Sequence, residues 1–276
     1  MLPGDAIFRI VEVSPLASLR TLLLLQTRIM LLGVVQTRLA IVRSLTRYPF
    51  RIPTSVIMSH TSSASCHSLS LSKSEIGDEG MKRFSFALSG GALASIRNLH
   101  VKDIGISSEG MLAFSATIGV GALARLAVLD LSANRIGNEG MESFSSAIKS
   151  GTLPHLEILS LSQNHIGDEG MKAFSAALSG GALATLKTLW MCDNQIGDKG
   201  MKTFSDASVA GSLKGLERLW LYNNRISDGG IQHFSDAIVR GTLAHLNILC
   251  VDGTEHPALD AACHAHAITR MIALPE

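Results

Sequence analysis

The chain has 276 residues, 46% hydrophobic and 17% charged, with a formal net charge of +1. That is a globular composition, long enough to bury a sizeable core. The charge is uneven: through residue 73 there are eight basic residues and two acids, against 16 basic and 21 acidic residues in the remainder, so the mildly acidic body offers no electrostatic footprint for nucleic acid.

Four cysteines, Cys66, Cys192, Cys250 and Cys263, lack the spacing of a metal site or a disulfide framework. They read as free thiols of a reducing compartment. No Asn-x-Ser/Thr acceptor site occurs, which agrees with an intracellular, cytoplasmic protein.

Residues 1–65 stand apart from the rest of the chain. Between Glu12 and Glu75 there is no acid, while Arg9, Arg20, Arg28, Arg38, Arg43, Arg47 and Arg51 punctuate apolar runs at Leu22–Leu25 and Ile29–Val35. A membrane-spanning helix wants about 20 apolar residues without a central charge, so Arg28 and Arg38 argue against one. Three readings compete: an organelle transit peptide, a basic amphipathic helix lying on a membrane surface, and a poorly ordered extension without function, of the kind a misassigned gene start produces. The last is favoured. Residues 54–65, rich in Ser, Thr and His, read as a linker. A first strand comes next, at Ser68–Ser72. Nothing obvious covers its outer edge, and an N-terminal helix is one candidate cap.

From there the chain repeats. Gly-Met recurs at Gly80, Gly110, Gly140, Gly170 and Gly200, and Gly230-Ile231 continues the series. Phe84, Phe114, Phe144, Phe174, Phe204 and Phe234 keep the same spacing of 30 residues, each followed by Ser. Such a period marks stacked units, and it outranks any local reading. One unit runs Leu126-x-x-Leu129-x-Leu131-x-x-Asn134-x-Ile136. Leu129 and Leu131 share one face of a short strand. Asn134, with Asn164, Asn194 and Asn224 at the same place, supplies an amide that satisfies buried turn backbone, so stacked units form an Asn ladder. Ser74, Ile104 and Thr254 replace it elsewhere, and Ile104 predicts a looser second unit. Asp78, Ser108, Asn138, Asp168, Asp198 and Asp228 are N-cap types, each heading a helix. Within the helix Met141, Phe144 and Ile148 make one apolar stripe, and Gly151 ends it.

A single unit cannot bury its apolar face, so units stack into a one-dimensional core. Strands sit about 4.8 Å apart and helices about 8–10 Å, which puts strands on the inner curve. The consensus Leu-x-x-Leu-x-Leu-x-x-Asn-x-Ile/Leu-Gly-x-x-Gly resembles the leucine-rich-repeat family, and the helix with a length near 30 resembles its ribonuclease-inhibitor-like subclass. The resemblance implies an α/β fold: a right-handed solenoid, a curved horseshoe with parallel strands on the concave face and helices on the convex face. It covers about residues 66–256, with 257–276 as a capping helix and tail. Ribonuclease inhibition itself is not inferred, because those proteins are rich in cysteine and this chain is not. The resemblance implies another protein as partner, no cofactor and no catalysis. Alternatives within the family are an activator of a small GTPase, for which Arg135 and Arg225 are the loop arginines, and the sensing arm of an innate sensor.

Side chains between the strand leucines emerge on the inner curve. The central row reads Ser70, His100, Asp130, Ser160, Trp190, Trp220, Cys250. The chain has two Trp, and both fall in this row in adjacent units. Tyr222 and Arg218 flank them. Trp, Tyr and Arg dominate binding hot spots, so Trp190, Trp220, Tyr222 and Arg218 are the expected partner-binding centre, with Asp193 and Asn223 at the rim. The competing structural explanation is that the indoles only shield the sheet. His100 and Asp130 are placed to pair. No Ser has a His and an acid arranged to activate it.

At the C-terminus, Pro257 to about Ile272 reads as a helix with Ala261, Ala262, Ala265 and Ile268 inward. Cys263, His264, His266 and His256 match no common ligand spacing, so no metal is expected. Gly90-Gly91 and Gly180-Gly181 end helices and are not phosphate loops.

Overall fold

The computed structural model describes residues 57–60, 66–91, 93–253 and 256–272. The readings for residues 1–56, and the ladder position at Thr254, lie outside them. Two strands open the array, β1 (Ile57–His60) and β2 (Cys66–Ser70). Then helix and strand alternate: α1 (Gly77–Ser89), β3 (Asn98–His100), α2 (Ser108–Gly119), β4 (Val128–Asp130), α3 (Gly137–Ile148), β5 (Ile158–Ser160), α4 (Asp168–Ser179), β6 (Thr188–Trp190), α5 (Asp198–Val209), β7 (Arg218–Trp220), α6 (Asp228–Val239), β8 (Ile248–Val251), α7 (Pro257–Ala265) and β9 (Thr269–Ile272).

The sheet follows chain order from β1 to β9. From β2 onward the pairing is parallel. From β2 to β8 each residue lies opposite the one thirty positions on: Leu99 pairs with Leu129, and Leu129 with Leu159. A 30-residue sequence period has become a fixed register, which is what stacking identical units requires. The exception is β1, antiparallel to β2. It lies inside the stretch read as a linker, and it covers the edge for which the sequence showed no cap.

The core is a stack of layers. Leu99, Leu129, Leu159, Leu189 and Leu219 enter it from the strands, and the six repeat phenylalanines from the helices, all fully buried. The Ser after each Phe is buried too. In four units its hydroxyl donates to the carbonyl four residues back, as Ser145 does to Met141 at 2.7 Å and Ser175 to Met171 at 2.7 Å. In these four units the small hydroxyl is buried without an orphaned donor, whereas Ser85 and Ser115 Oγ are buried without a partner.

The Asn ladder forms. Asn164 Nδ2 donates to the carbonyls of Leu131, Leu161 and Ser162 at 3.0–3.1 Å. Asn194 Oδ1 accepts from the backbone N–H groups of Asn164 and Ile166 at 3.1 and 3.0 Å. Each amide therefore ties its own turn to the preceding one. Asn134 and Asn224 repeat the pattern. Ile104 instead enters the core, and its N–H donates to Asn134 Oδ1 at 3.2 Å.

The helix starts differ from the sequence expectation. Asp78, Asn138, Asp168 and Asp198 do not cap their own helices; they cap the next one. Asp78 Oδ1 accepts from the N–H groups of Ser107 and Gly110 at 2.7 and 3.0 Å. Asn138 serves Gly167 and Gly170 at 2.7 and 3.1 Å, and Asp168 serves Gly197 and Gly200 at 2.7 and 2.8 Å. Asp198 reaches Ser227 N–H at 2.7 Å. Ser108 is too short for this reach, and α3, the helix it would cap, begins at Gly137 with no side-chain cap. The recurring Gly is needed on two counts: a Cβ would meet the Ile four residues earlier, at 2.3 Å for Gly80 and 2.7 Å for Gly140, and where the second ladder forms it would also meet the cap. A Cβ on Gly110, Gly170 or Gly200 would stand 2.4–2.8 Å from the capping oxygen of the preceding unit.

The C-terminal helix is also shorter than expected. It stops at Ala265, Ala267 turns the chain with φ 55°, and residues 269–272 form β9. Leu259, Ala262, Cys263 and Ile268 are buried, whereas Ala261 and Ala265 are exposed. The open edge of β8 competes successfully for the β-branched Thr269 and Ile272. Among the described residues no helix is long and apolar enough to cross a membrane, and no group of His, Cys, Asp or Glu is placed to hold a metal.

Candidate binding surface on the strand face

Three-residue strands with a buried central leucine present their outer two side chains away from the core. The register puts Ser160, Trp190, Trp220 and Cys250 side by side. The pairing of β9 adds Met271 beside Cys250. Both indoles lie outside the hydrophobic interior. Their rings meet edge to face, with centroids 5.4 Å apart and planes at 86°, the geometry the aromatic quadrupole favours. Trp190 remains 40% exposed and Met271 48%. The small residues flanking the pair are shielded, Ser160 at 3% and Cys250 at 5% exposure.

The other expected residues gather around this pair. Arg218 is exposed, two positions before Trp220 on β7. Tyr222 is half-buried. The Cys192 thiol beside it, followed by burial, pushes its hydroxyl up to about 12. Cys192 is buried, and that burial raises its thiol to about 11 against hydrogen bonds with Ser162 and Tyr222. Such a thiol is a small packing residue, not a nucleophile. At the rim Asn223 Nδ2 donates to Asp193 Oδ1 at 2.7 Å, and Asn223 N–H donates to Asp252 Oδ1 at 2.9 Å. All six residues therefore fall in one neighbourhood across β6 and β7 and the loops after them.

Further along the same face, His100 Nδ1 lies 3.8 Å from Asp130 Oδ2. Burial works against the Asp130 charge, but the facing His100 imidazole and hydrogen bonds from the Ser132 hydroxyl and N–H outweigh it and hold the carboxyl below its usual range. Ser132 Oγ donates to Asp130 Oδ1 at 2.6 Å. The carboxylate is thus fixed and charged two strands from Trp190. Arg135 and Arg225 are exposed, bridged to the backbone of Ser107 and Gly197. Cys192, Cys250 and Cys263 are free and buried.

Sequence reasoning missed Met271, because a helix was expected there. It placed Asp130 on this face beside His100, but did not give the Ser132 hydrogen bonds that fix its carboxylate. The β-branched residues at Ile268, Thr269 and Ile272 were the available signal for β9.

A family model described as Leucine Rich repeat matches residues 67–85, 126–145, 152–175 and 182–205. No curated protein matches the chain. Among solved structures, the crystal structure of an internalin from Listeria monocytogenes is similar at 13% identity, covering 76% of this chain and 87% of that one with a TM-score of 0.25, too loose a superposition to bear on partner or site. Repeats of this type serve in general as protein-interaction scaffolds. Matched repeats, a parallel strand stack in 30-residue register and two side-chain ladders give this chain the α/β leucine-rich-repeat solenoid fold.

Proposed function

We propose that the chain is a non-catalytic scaffold that binds another protein on its strand face, centred on Trp190 and Trp220, with Tyr222 and Arg218 beside them and Asp193 and Asn223 at the rim. The observation that carries this reading is the exposed, edge-to-face tryptophan pair on adjacent strands. A repeat whose only task is to stack is served by small polar residues there, as at Ser70 and Ser162. Two large aromatic side chains held partly in water carry an unfavourable apolar hydration that a partner relieves. Full-length convex helices of 12–13 residues support a ribonuclease-inhibitor-like subclass. Three buried free thiols support a reducing, cytoplasmic setting.

Affinity capture with the full chain and with the W190A/W220A variant tests the proposal. The variant is expected to lose the captured partner, since truncating a hot-spot aromatic costs about 2 kcal/mol or more. Unchanged capture by a folded variant contradicts it.

A further inference from the structure

The apolar strip on the strand face is longer and narrower than the tryptophan pair alone. Trp190, Trp220, Cys250 and Met271 run side by side across β6 to β9. At about 4.8 Å per strand that is about 14 Å. The strip is one residue wide. On one side it meets Arg218 and the buried Thr188; on the other, Cys192, Tyr222 and Asp252. Ser160 and Cys250 are shielded, so the large side chains next to them lie across them, and the result is a ridge-like platform without a deep pocket.

Charge marks its borders. Arg218 is exposed, and no ion pair holds it among the described residues. Asp130 is in register with Ser160 and then Trp190, two strand spacings or about 10 Å from the indole. Its Oδ1 is held by Ser132, leaving Oδ2 facing His100 at 3.8 Å, beyond hydrogen-bond distance. The order along the surface is therefore carboxylate, small floor, aromatic, aromatic with a lateral guanidinium, thioether.

Resting on the binding reading above, we infer that this surface takes an extended segment of a partner protein that carries a basic residue about two or four positions from a run of apolar residues, so that both face the surface, with an acidic residue inside that run. The spacing comes from about 3.3 Å per residue of extended chain. The basic group pairs with the Asp130 carboxylate at the end of the strip. The apolar run covers Trp190, Trp220 and Met271, and the acid turns to Arg218. A helix presents a broader apolar stripe than this one-residue strip can cover, so the extended form is the better fit.

The test is selection of a displayed random dodecamer library on the full chain, in parallel with W190A/W220A, R218E and D130N, each checked by circular dichroism. Asn at 130 keeps the acceptor for Ser132 while removing the charge. Peptides with the basic–apolar–acidic order are expected. R218E should weaken them at least tenfold and select a base in place of the acid, and D130N should remove the basic preference. Peptides that need the tryptophans but ignore both charge changes overturn this inference and leave the binding reading intact. Absence of any tryptophan-dependent peptide overturns both. A self-association abolished by W190A/W220A would seat a second copy on the platform and overturn the peptide assignment as well.

Discussion

At the residue scale, two kinds of strain and charge are written into the turns. Ala133 and Gln163 sit in the left-handed region with φ of 55° and 57°. Asp193 and Asn223 occupy the same position at 55° and 54°, where short polar side chains are better tolerated. Ala133→Gly is therefore expected to raise stability by about 0.5–1 kcal/mol in urea unfolding, because relief of the steric term exceeds the gain in unfolded-state entropy. Charge acts through the capping carboxylates. Burial opposes ionisation of Asp78, but hydrogen bonds from Ser107 and Gly110 hold its pKa below 3.8. For Asp198 the Ser227 hydroxyl is the largest influence and lowers it as well. A carboxyl lowered on folding contributes stability that is present above its unfolded value and lost as pH falls through the folded value. The stability in question thus disappears below about pH 4. Asn138 does the same capping without titrating. The D78N/D198N variant is accordingly expected to unfold at lower pH than the parent in an acid titration followed by circular dichroism. An unshifted acid midpoint would remove the carboxylates from the explanation.

At the scale of elements, the helix start is a joint property of two repeats. Gly170 allows Asn138 of the preceding unit to reach two N–H groups of the helix start, and a Cβ there would stand 2.8 Å from Asn138 Oδ1. Gly170→Ala should destabilise by about 1–2 kcal/mol although Ala is the better helix former, since the Asn138 cap is displaced and the junction is strained. A more stable Ala variant would contradict the capping assignment. This junction also shows what the sequence made legible. Strand, turn and helix could be read from Leu129, Asn134, Gly151 and Phe144 because each type has one favourable place in a repeat. The capping partner could not: an Asp at a helix start satisfies local and neighbouring N–H groups by the same chemistry, and only the stacking distance decides between them. The recurring Gly before Met was no clear trace of that approach, because the Ile four residues earlier requires it in uncapped units as well, as at Gly80 and Gly140. The C-terminal end was misread for a related reason. Ala-rich Ala261, Ala262 and Ala265 favour helix, but the unpaired edge of β8 lies beyond any local pattern. The tryptophan cluster was legible because the alternation of a strand assigns faces without further information, whereas Met271 depended on the misread element.

At the scale of the whole molecule, stability is a sum over neighbouring repeats, so a lesion in the middle should divide the stack. Asn164 has no exposure and holds three carbonyls from two repeats. Asn164→Ala removes one donor from each of these carbonyls, which keep Asn134, Asn194 and the Ala133 N–H, and orphans the buried Ile136 N–H, at a cost of about 1–3 kcal/mol. Hydrogen exchange should then quicken around β4 and β5 while the outer repeats keep their protection. Uniform acceleration across all repeats would indicate a single cooperative unit. The same architecture explains how one region can carry the proposed binding surface. Stacking fixes what points inward at every repeat, and the outward strand positions are left to vary freely from Ser70 to Trp220.

The chain's two tryptophans are both in the proposed site, so their fluorescence reports on it without a label. Acrylamide quenching of the full chain, alone and saturated with a captured partner, is the most direct measurement. The account predicts ready quenching in the free protein and clear protection in the complex. Tryptophans already protected when free, or equally quenched in both states, would contradict the claim that the strand face with its indole pair is where the partner binds.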